Sequence, residues 1–368
     1  MTNQNKRNEH LAVDNNLLAT IAYERFMKTL AAYRFNEDER RKMIRFARWT
    51  ALYVSPMVLF VALMFADISI LAGEDSDPTK LGKDPTEYPH SQFSYVNVEI
   101  DSSLAYGESM MRGGLIYDLT DNKLVWQKNL KEAFPIASLT KMMVALITME
   151  QVAAGNITLE EEVTVSREAT YVGGSRVYIK EGSKLTVEDL LEACMIRSGN
   201  DASYQLAHFI GGTEKAFVEV MNDKSYLLGM ETTRFGNSTG MPNKKKGGFD
   251  NYSTPADLML LAKELVKYDD LMNMVSRPKE TIRNVNGLYT YSNRNTLAKT
   301  YTEIDGLKTG YTRNAKYCIV ATGQRCGHRV ISIVLGVDNK ATRSDLIVNM
   351  FNNYYNSIGL GELGEEIE

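Results

Sequence analysis

Histidine and cysteine are scarce in this chain of 368 residues, and their scarcity narrows its chemistry. The four histidines, at positions 10, 90, 208 and 328, do not pair with one another at metal-ligand spacing. The three cysteines, Cys194, Cys318 and Cys326, are odd in number and fit no zinc pattern. They read as buried thiols, with a Cys318–Cys326 pairing left open if both lie on one hairpin. No metal and no other cofactor is expected. After residue 50 the chain lacks a basic block long enough to line a nucleic-acid groove, and its formal charge is only −4, so nucleic acid is not expected as a partner. Internal repeats and low-complexity tracts are missing too. What remains is ordinary globular composition, 44% apolar and 24% charged, long enough for two average domains or one large one.

One apolar run stands out. Residues 49 to 66, WTALYVSPMVLFVALMFA, carry no charge, and the run reaches spanning length if it continues past Asp67 to Ala72. Arg40, Arg41, Lys42, Arg45 and Arg48 precede it, and the acidic GEDSDPTKLGKDPTEYP follows it. That asymmetry places residues 1–48 in the cytoplasm as a tail and everything from residue 73 outside, with residues 49–72 as a transmembrane signal anchor. A cleaved signal peptide ending near Ala72 is the other reading, and Met43 as the true start would favour it. The long leader favours the anchor. A buried core helix fits the run less well, given the flanking charges. Residues 16 to 34 have apolar residues at roughly helical spacing and fit a cytoplasmic helix. Residues 73–92, polar with Pro78, Pro85 and Pro89, read as a tether.

The folded domain is expected from residue 93 to about 350, with residues 351–368 holding the end of a closing helix and an acidic tail. SYVNVEI (94–100), GGLIYDL (113–119) and DNKLVWQ (121–127) read as strands, the last two as a hairpin. From Leu139 to Ala154 the pattern turns helical and stops at Gly155-Asn156. Thr186 and Asp189 form a capping box for a helix over 187–197. Helices follow over DASYQLAHFIGG, over 212–229 and over 255–267, the last with Pro255 in its first turn. The end of the chain returns to strands, IDGLKTGYT, AKYCIVATG and RVISIVLGV, and closes on the helix ATRSDLIVNMFNNYYNSI. Strands at both ends bracket a helical middle. This is an α/β layout: one sheet built from distant segments, flanked by helices, with a helical insertion.

Within that insertion, ASLTK places Ser138 and Lys141 three residues apart, hence on one helical face. A serine hydroxyl needs a neighbouring base to become a nucleophile, and a lysine serves only when neutral. Apolar surroundings, such as Met142 and Met143 provide, lower a lysine's pKa. The pair alone is a weak signal, since a capping serine and a solvated lysine give the same text. Two further stretches strengthen it. SGN, residues 198–200, sits between two helices, where Ser198 and Asn200 can both face one cleft. KTG, residues 308–310, sits on a strand, where Lys308 offers charge, Thr309 a hydroxyl and Gly310 room for a substrate backbone.

S-x-x-K, S-x-N and K-T-G in this order resemble the motif set of penicillin-binding proteins and class A β-lactamases. Over about residues 93–350 the chain resembles the serine-type D-alanyl-D-alanine carboxypeptidases, the low-molecular-mass penicillin-binding proteins of the peptidase S11 type. ASLTKMMVAL, YIKEGSKLTVEDLL, RSGNDAS, TTRFGNSTGMP, YSTPADLMLLA and IDGLKTGYT all carry the likeness. The resemblance implies a β-lactamase/transpeptidase-like fold, an antiparallel sheet flanked by helices with a helical subdomain. It implies removal of the terminal D-alanine from peptidoglycan stem peptides, outside the bacterial cytoplasmic membrane or in the periplasm. It also implies that β-lactams acylate the enzyme. By the same resemblance Ser138 is the nucleophile, Lys141 its general base, and Ser198 a proton relay helped by Lys308. Asn200 orients the acyl chain, Thr309 contacts the terminal carboxylate with Lys308 and Gly310 beside it, and the N–H groups of Ser138 and Tyr311 form the oxyanion hole.

The text departs from the family pattern at RNAKYC, where Lys316 stands in place of a small residue; with Arg313 it adds positive charge near the expected carboxylate site. Many relatives carry a second, β-rich domain and a C-terminal amphipathic helix, and neither is read here, so attachment is expected from the N-terminal segment. A β-lactamase is disfavoured because no E-x-x-x-N follows Asn200 at the expected place: Glu231 is followed four residues on by Phe235. An endopeptidase acting on crosslinks and a non-catalytic wall-binding scaffold are the remaining alternatives.

Overall fold

The computed structural model describes residues 107–243 and 249–364. The expected tail, span, tether and first strand at 94–100 lie outside the described residues. Among the described residues no helix is long and apolar enough to cross a membrane. All of them belong to one of two compact units of the chain, Glu87–Glu368.

Strands β1 (Gly113–Asp118) and β2 (Lys123–Lys128) form the expected hairpin. A two-residue strand β3 (Phe134–Pro135) leads into a 3-10 turn (Ala137–Thr140), and helix α1 (Lys141–Ala153) continues from it. Gly155, at φ +72°, ends α1: its N–H donates to the carbonyl of Val152 and that of Asn156 donates to Gln151, which is the expected glycine stop. Then come β4 (Glu162–Thr164), α2 (Arg167–Thr170), β5 (Lys184–Thr186), α3 (Val187–Met195), α4 (Asn200–Gly211) and α5 (Glu214–Leu227). The Thr186–Asp189 capping box opens α3 as expected. A short β6 (Tyr252–Ser253) pairs with β3 and precedes α6 (Pro255–Leu265) and α7 (Asp269–Ser276). The hairpin of β7 (Lys279–Asn284) and β8 (Gly287–Ser292) and the short α8 (Leu297–Thr300) complete the insertion. The chain returns through β9 (Ile304–Thr312), β10 (Lys316–Arg325) and β11 (His328–Val337), and α9 (Lys340–Ser357) closes it.

The main sheet is antiparallel with order β2-β1-β11-β10-β9, so strands from both chain ends meet at the β1–β11 pair. Period-2 alternation divides its side chains between two cores. Leu115, Tyr117, Val320, Ile331 and Ile333 join the helices of the insertion, while Ile116, Ile319, Ala321, Val330 and Val334 pack against α9 through Leu346, Ile347, Phe351 and Tyr355. Both faces are therefore covered, and the expected layout of one sheet between helices holds.

Three details differ from the sequence reading. Ser138 lies in the 3-10 turn, one residue after Ala137 at φ +48°, so this turn is tighter than an α-helical start. Asn200 is the first residue of α4, not part of a free turn, and only Ser198, at φ +65°, carries the sharp bend between α3 and α4. Cys326, read as a buried thiol, is exposed in the turn between β10 and β11, while Cys194 and Cys318 are buried, and all three are free. Cys326 (φ +49°) and Gly327 (φ +83°) form the two-residue turn, which leaves Cys318 at the other end of β10.

Candidate active site

The site assembles where α1, α4 and the outer edge of the sheet meet. Lys141, the first residue of α1, is completely buried. Its Nζ donates to Thr239 O at 2.6 Å, to Asn200 Oδ1 at 2.7 Å and to Ser138 Oγ at 3.2 Å. Burial lowers its pKa to about 8, against which Cys194 and Asp201 act in the opposite direction. The three distances have a chemical order. A neutral amine has two N–H bonds and one lone pair. The two short contacts use the donors, and the longest leaves the lone pair for the hydroxyl of Ser138.

Asn200 is committed on both sides. Its carbonyl oxygen accepts from Lys141, and its Nδ2 donates to Gly173 O at 2.7 Å. The next residue, Asp201, is buried and accepts the N–H groups of Val177, Tyr178 and Ile179 at 3.2, 2.7 and 3.3 Å. The N-terminus of α4 thus fixes both Lys141 and the loop that borders the cleft. Ser198 sits at the α3–α4 junction, held by Gly199 N–H to Ala193 O at 2.9 Å and Asn200 N–H to Ser175 O at 2.7 Å. Its left-handed backbone is unusual for a serine and costs on the order of 1–3 kcal/mol, a strain that persists only because its neighbours impose it.

Strand β9 closes the other side as the edge of the sheet. Lys308 is buried, with Nζ donating to Thr309 O at 3.1 Å. Its pKa is held well below the usual value, first by burial and then by repulsion from Lys141, with Arg294 and Arg343 adding to it. An anion bound beside it would favour the charged form and offset that repulsion. Thr309 is nearly buried, and Tyr311 is exposed with its ring 4.4 Å from that of Tyr317. A Cβ on Gly310 would stand 2.9 Å from Ile136 O and 3.2 Å from Ser138 N, so this glycine lets β9 lie against the Ser138 turn.

The fold therefore brings Ser138, Lys141 and Asn200 into direct contact and sets Lys308, Thr309 and Gly310 across from them. Lys316, also in a left-handed conformation, turns away and pairs with Asp338 at 3.0 Å. Several residues of the site escape motif reading. Asn237 Oδ1 accepts the N–H groups of Thr239 and Gly240 at 3.1 and 2.7 Å, shaping the carbonyl that Lys141 meets. Asn251 Nδ2 donates to Thr140 Oγ1 at 2.9 Å, and Thr140 Oγ1 donates to Ala137 O at 2.7 Å, which braces the strained turn. Gly240 lies so close to it that a Cβ there would meet Ala137 O at 1.9 Å. The NSTG run, residues 237–240, is the one signal in the text for this wall, and no periodicity reveals its target.

Comparison with known proteins agrees with this geometry. The family described as D-alanyl-D-alanine carboxypeptidase matches residues 108–339. The chain belongs to that family. It is 34% identical over 240 residues to D-alanyl-D-alanine carboxypeptidase DacF of Bacillus subtilis, a match covering 65% of this chain and 60% of that one. The match thus spans about three fifths of this relative's length. Among solved structures, D-alanyl-D-alanine carboxypeptidase DacD from Francisella tularensis is similar with a TM-score of 0.61 and 26% identity, covering 73% of this chain and 74% of the other. Penicillin-binding protein D2 from Listeria monocytogenes, in its ampicillin-bound form, gives a TM-score of 0.58 and 29% identity over 66% of this chain and 96% of that one. The family fold, an antiparallel sheet flanked by helices, is the β-lactamase/transpeptidase-like arrangement described above.

Proposed function

We propose that this chain is a serine-type D-alanyl-D-alanine carboxypeptidase that removes the terminal D-alanine from peptidoglycan stem peptides. The observation that carries the reading is the buried Lys141 amine, lowered to about 8 and placed 3.2 Å from the Ser138 hydroxyl. Ser138 Oγ attacks the carbonyl carbon between the two D-alanines while Lys141 takes its proton. The N–H groups of Ser138 and Tyr311 receive the developing oxyanion. Ser198 relays the proton held by Lys141 to the departing amine as the C–N bond breaks, which leaves Lys141 neutral and an ester on Ser138. Water then attacks that ester, giving its proton back through Lys141, and Ser138 is restored.

The terminal carboxylate lies at Lys308, whose charged form it favours, with Thr309 as hydroxyl donor. The acyl side lies along the β9 edge as an added strand, past Asn200. Asn200 acts on that side mainly by fixing Lys141 and the bordering loop, since its amide is already engaged with Gly173. The ampicillin-bound state of the Listeria relative supports acylation by β-lactams. Residues 93–350 form the catalytic domain in this reading. The apolar run at 49–72, with its basic leader, supports an extracytoplasmic enzyme held at the membrane.

The test is intact-mass spectrometry of the full chain after benzylpenicillin treatment, beside Ser138→Ala. One adduct is expected on the parent and none on the variant. An adduct on Ser138→Ala, or none on folded parent, would overturn the mechanism. Release of D-alanine from a free pentapeptide, compared with cleavage of a crosslinked dimer, separates carboxypeptidase from endopeptidase.

A further inference from the structure

Beside the catalytic cleft lies a surface that the chemistry above does not use. The loop 171–182 presents Tyr171 and Tyr178 to solvent at 70% and 52% exposure. The β7–β8 hairpin adds Leu288 and Tyr289 at 69% and 56%. The two elements are joined. Val285 N–H donates to Tyr178 O at 2.9 Å, and Tyr291, whose ring is 4.7 Å from that of Tyr289, donates its hydroxyl to Val177 O at 2.7 Å. Guanidinium groups back the tyrosines: Arg176 stands 4.7 Å from the Tyr178 ring centre and Arg167 stands 5.7 Å from that of Tyr171.

The backbone that carries Tyr178 is held in place. Tyr178 adopts φ +61°, a left-handed conformation rare for an aromatic residue, and its N–H is gripped by buried Asp201. The path from the nucleophile is short: Ser138 to Lys141, Lys141 to Asn200, and Asn200 to Gly173 in this loop, each one hydrogen-bond length. Rigid, solvent-facing aromatic surface continuous with a catalytic rim marks an interaction site rather than an accident of packing.

We propose that this surface is a shelf for the glycan strand of the substrate, binding the N-acetylated sugar rings to which the stem peptide is attached. The inference rests on the reading of the chain as a stem-peptide carboxypeptidase. A pyranose has a flat C–H face and a polar rim. Tyrosine matches both, with an apolar ring and a hydroxyl edge. Covalent continuity sets the reach. The four residues between the scissile bond and the sugar extend about 13 Å at roughly 3.3 Å each, so a peptide seated in the cleft delivers its glycan to the rim rather than into bulk solvent.

The experiment uses the full chain, two substrates and one ligand. D-alanine release is measured from a disaccharide-linked pentapeptide and from the same pentapeptide free. The parent is expected to prefer the glycan-linked form about tenfold in kcat/KM. In Tyr171→Ala, Tyr289→Ala and Tyr178→Asn, the last chosen because asparagine tolerates the left-handed backbone, the preference falls toward one through a higher KM for the linked substrate. The ratio within each variant is the readout, so a general loss of chemistry does not mimic it. A ratio of one in the parent, or an unchanged ratio in all three variants, overturns the shelf. Binding of the N-acetylglucosamine–N-acetylmuramic acid disaccharide, followed by NMR titration of the tyrosine rings, reads the shelf even if the chain neither takes an acyl group from benzylpenicillin nor releases D-alanine. Absence of shifts on these tyrosines at millimolar sugar counts against the proposal. Self-association that the same substitutions abolish would assign the surface to a second copy and overturn it as well.

Discussion

At the scale of single residues, Lys141 meets two opposing demands. It must be buried to lose its proton near neutrality, yet its nitrogen needs polar partners to be buried at all. Thr239 O and Asn200 Oδ1 satisfy the second demand without supplying a carboxylate in direct contact, which would raise the pKa again. The acylation rate is therefore expected to climb with pH up to about 8 and then level off, because only the neutral amine accepts the Ser138 proton. A rate that is flat from pH 6 to 9 would remove Lys141 as the base. The same shift has a stability sign. Between about pH 8 and the ordinary lysine value of 10.5 the unfolded chain binds more protons than the folded one, so the Lys141 contribution makes stability rise with pH through that window. Below 8 it is a constant cost. Gly240 matters for a steric reason. Gly240→Ala is expected to cost about 2–4 kcal/mol and to slow acylation, since φ +78° and a Cβ 1.9 Å from Ala137 O both disturb the Ser138 turn. Thermal melts and penicillin acylation of the variant check this, and parent-like values in both would refute it.

At the scale of elements, helix α4 is the organiser. Its first two residues reach in two directions, Asn200 to the base and Asp201 to the backbone of the cleft loop. Asp201→Asn would turn an N–H toward donors that now meet a carboxylate, at about 1–3 kcal/mol. The expected outcome is faster proteolytic nicking of residues 171–182 and a lower melting temperature; unchanged nicking would show that the hairpin alone holds the loop. The hairpin has its own tie. Arg277, just before β7, bonds Glu192 of α3, whose carboxyl is pushed up to about 7, first by burial and next by Glu280, with Arg277 opposing. Between about pH 4.5 and 7 the folded state binds the extra proton, so burial of the Glu192 carboxyl makes stability fall as pH rises through that window, with Arg277 offsetting part of the loss. Both the α3 capping box and the glycine stop of α1 were legible in the text, because caps are local chemistry. The β7–β8 hairpin and α7 were not anticipated, and much of β7 and β8 faces solvent, which leaves little hydrophobic alternation to read.

The whole molecule joins two cores through one sheet, and the site lies at the edge of that sheet. Closing helix α9 is remote from Ser138 in sequence, yet it packs across one face of β10 and β11. Phe351, fully buried beside Gly323, is a direct probe of that layer. Phe351→Ala is expected to cost about 3–5 kcal/mol in a urea or thermal transition while folded molecules still take the benzylpenicillin adduct. Loss of acylation in fully folded variant would show instead that the outer layer positions β9.

The sequence by itself determined the fold class, the order of the main-sheet strands and of helices α1, α3, α4, α5, α6 and α9, and the three motifs at Ser138, Ser198 and Lys308. Each is written in local text, as side-chain periodicity, capping residues, or residue types at short spacing. It also identified Lys316 as a departure, but not that the side chain points to Asp338. Only the tertiary structure decided what surrounds the reactive groups. The donors and acceptors that fix Lys141 come from positions 200 and 239, and the brace on its turn comes from position 251. Such partners are backbone carbonyls and amide side chains, which leave no hydrophobic pattern, and they meet only when distant segments pack. The lowered pKa of Lys141 follows from that packing, because desolvation is a property of the completed core.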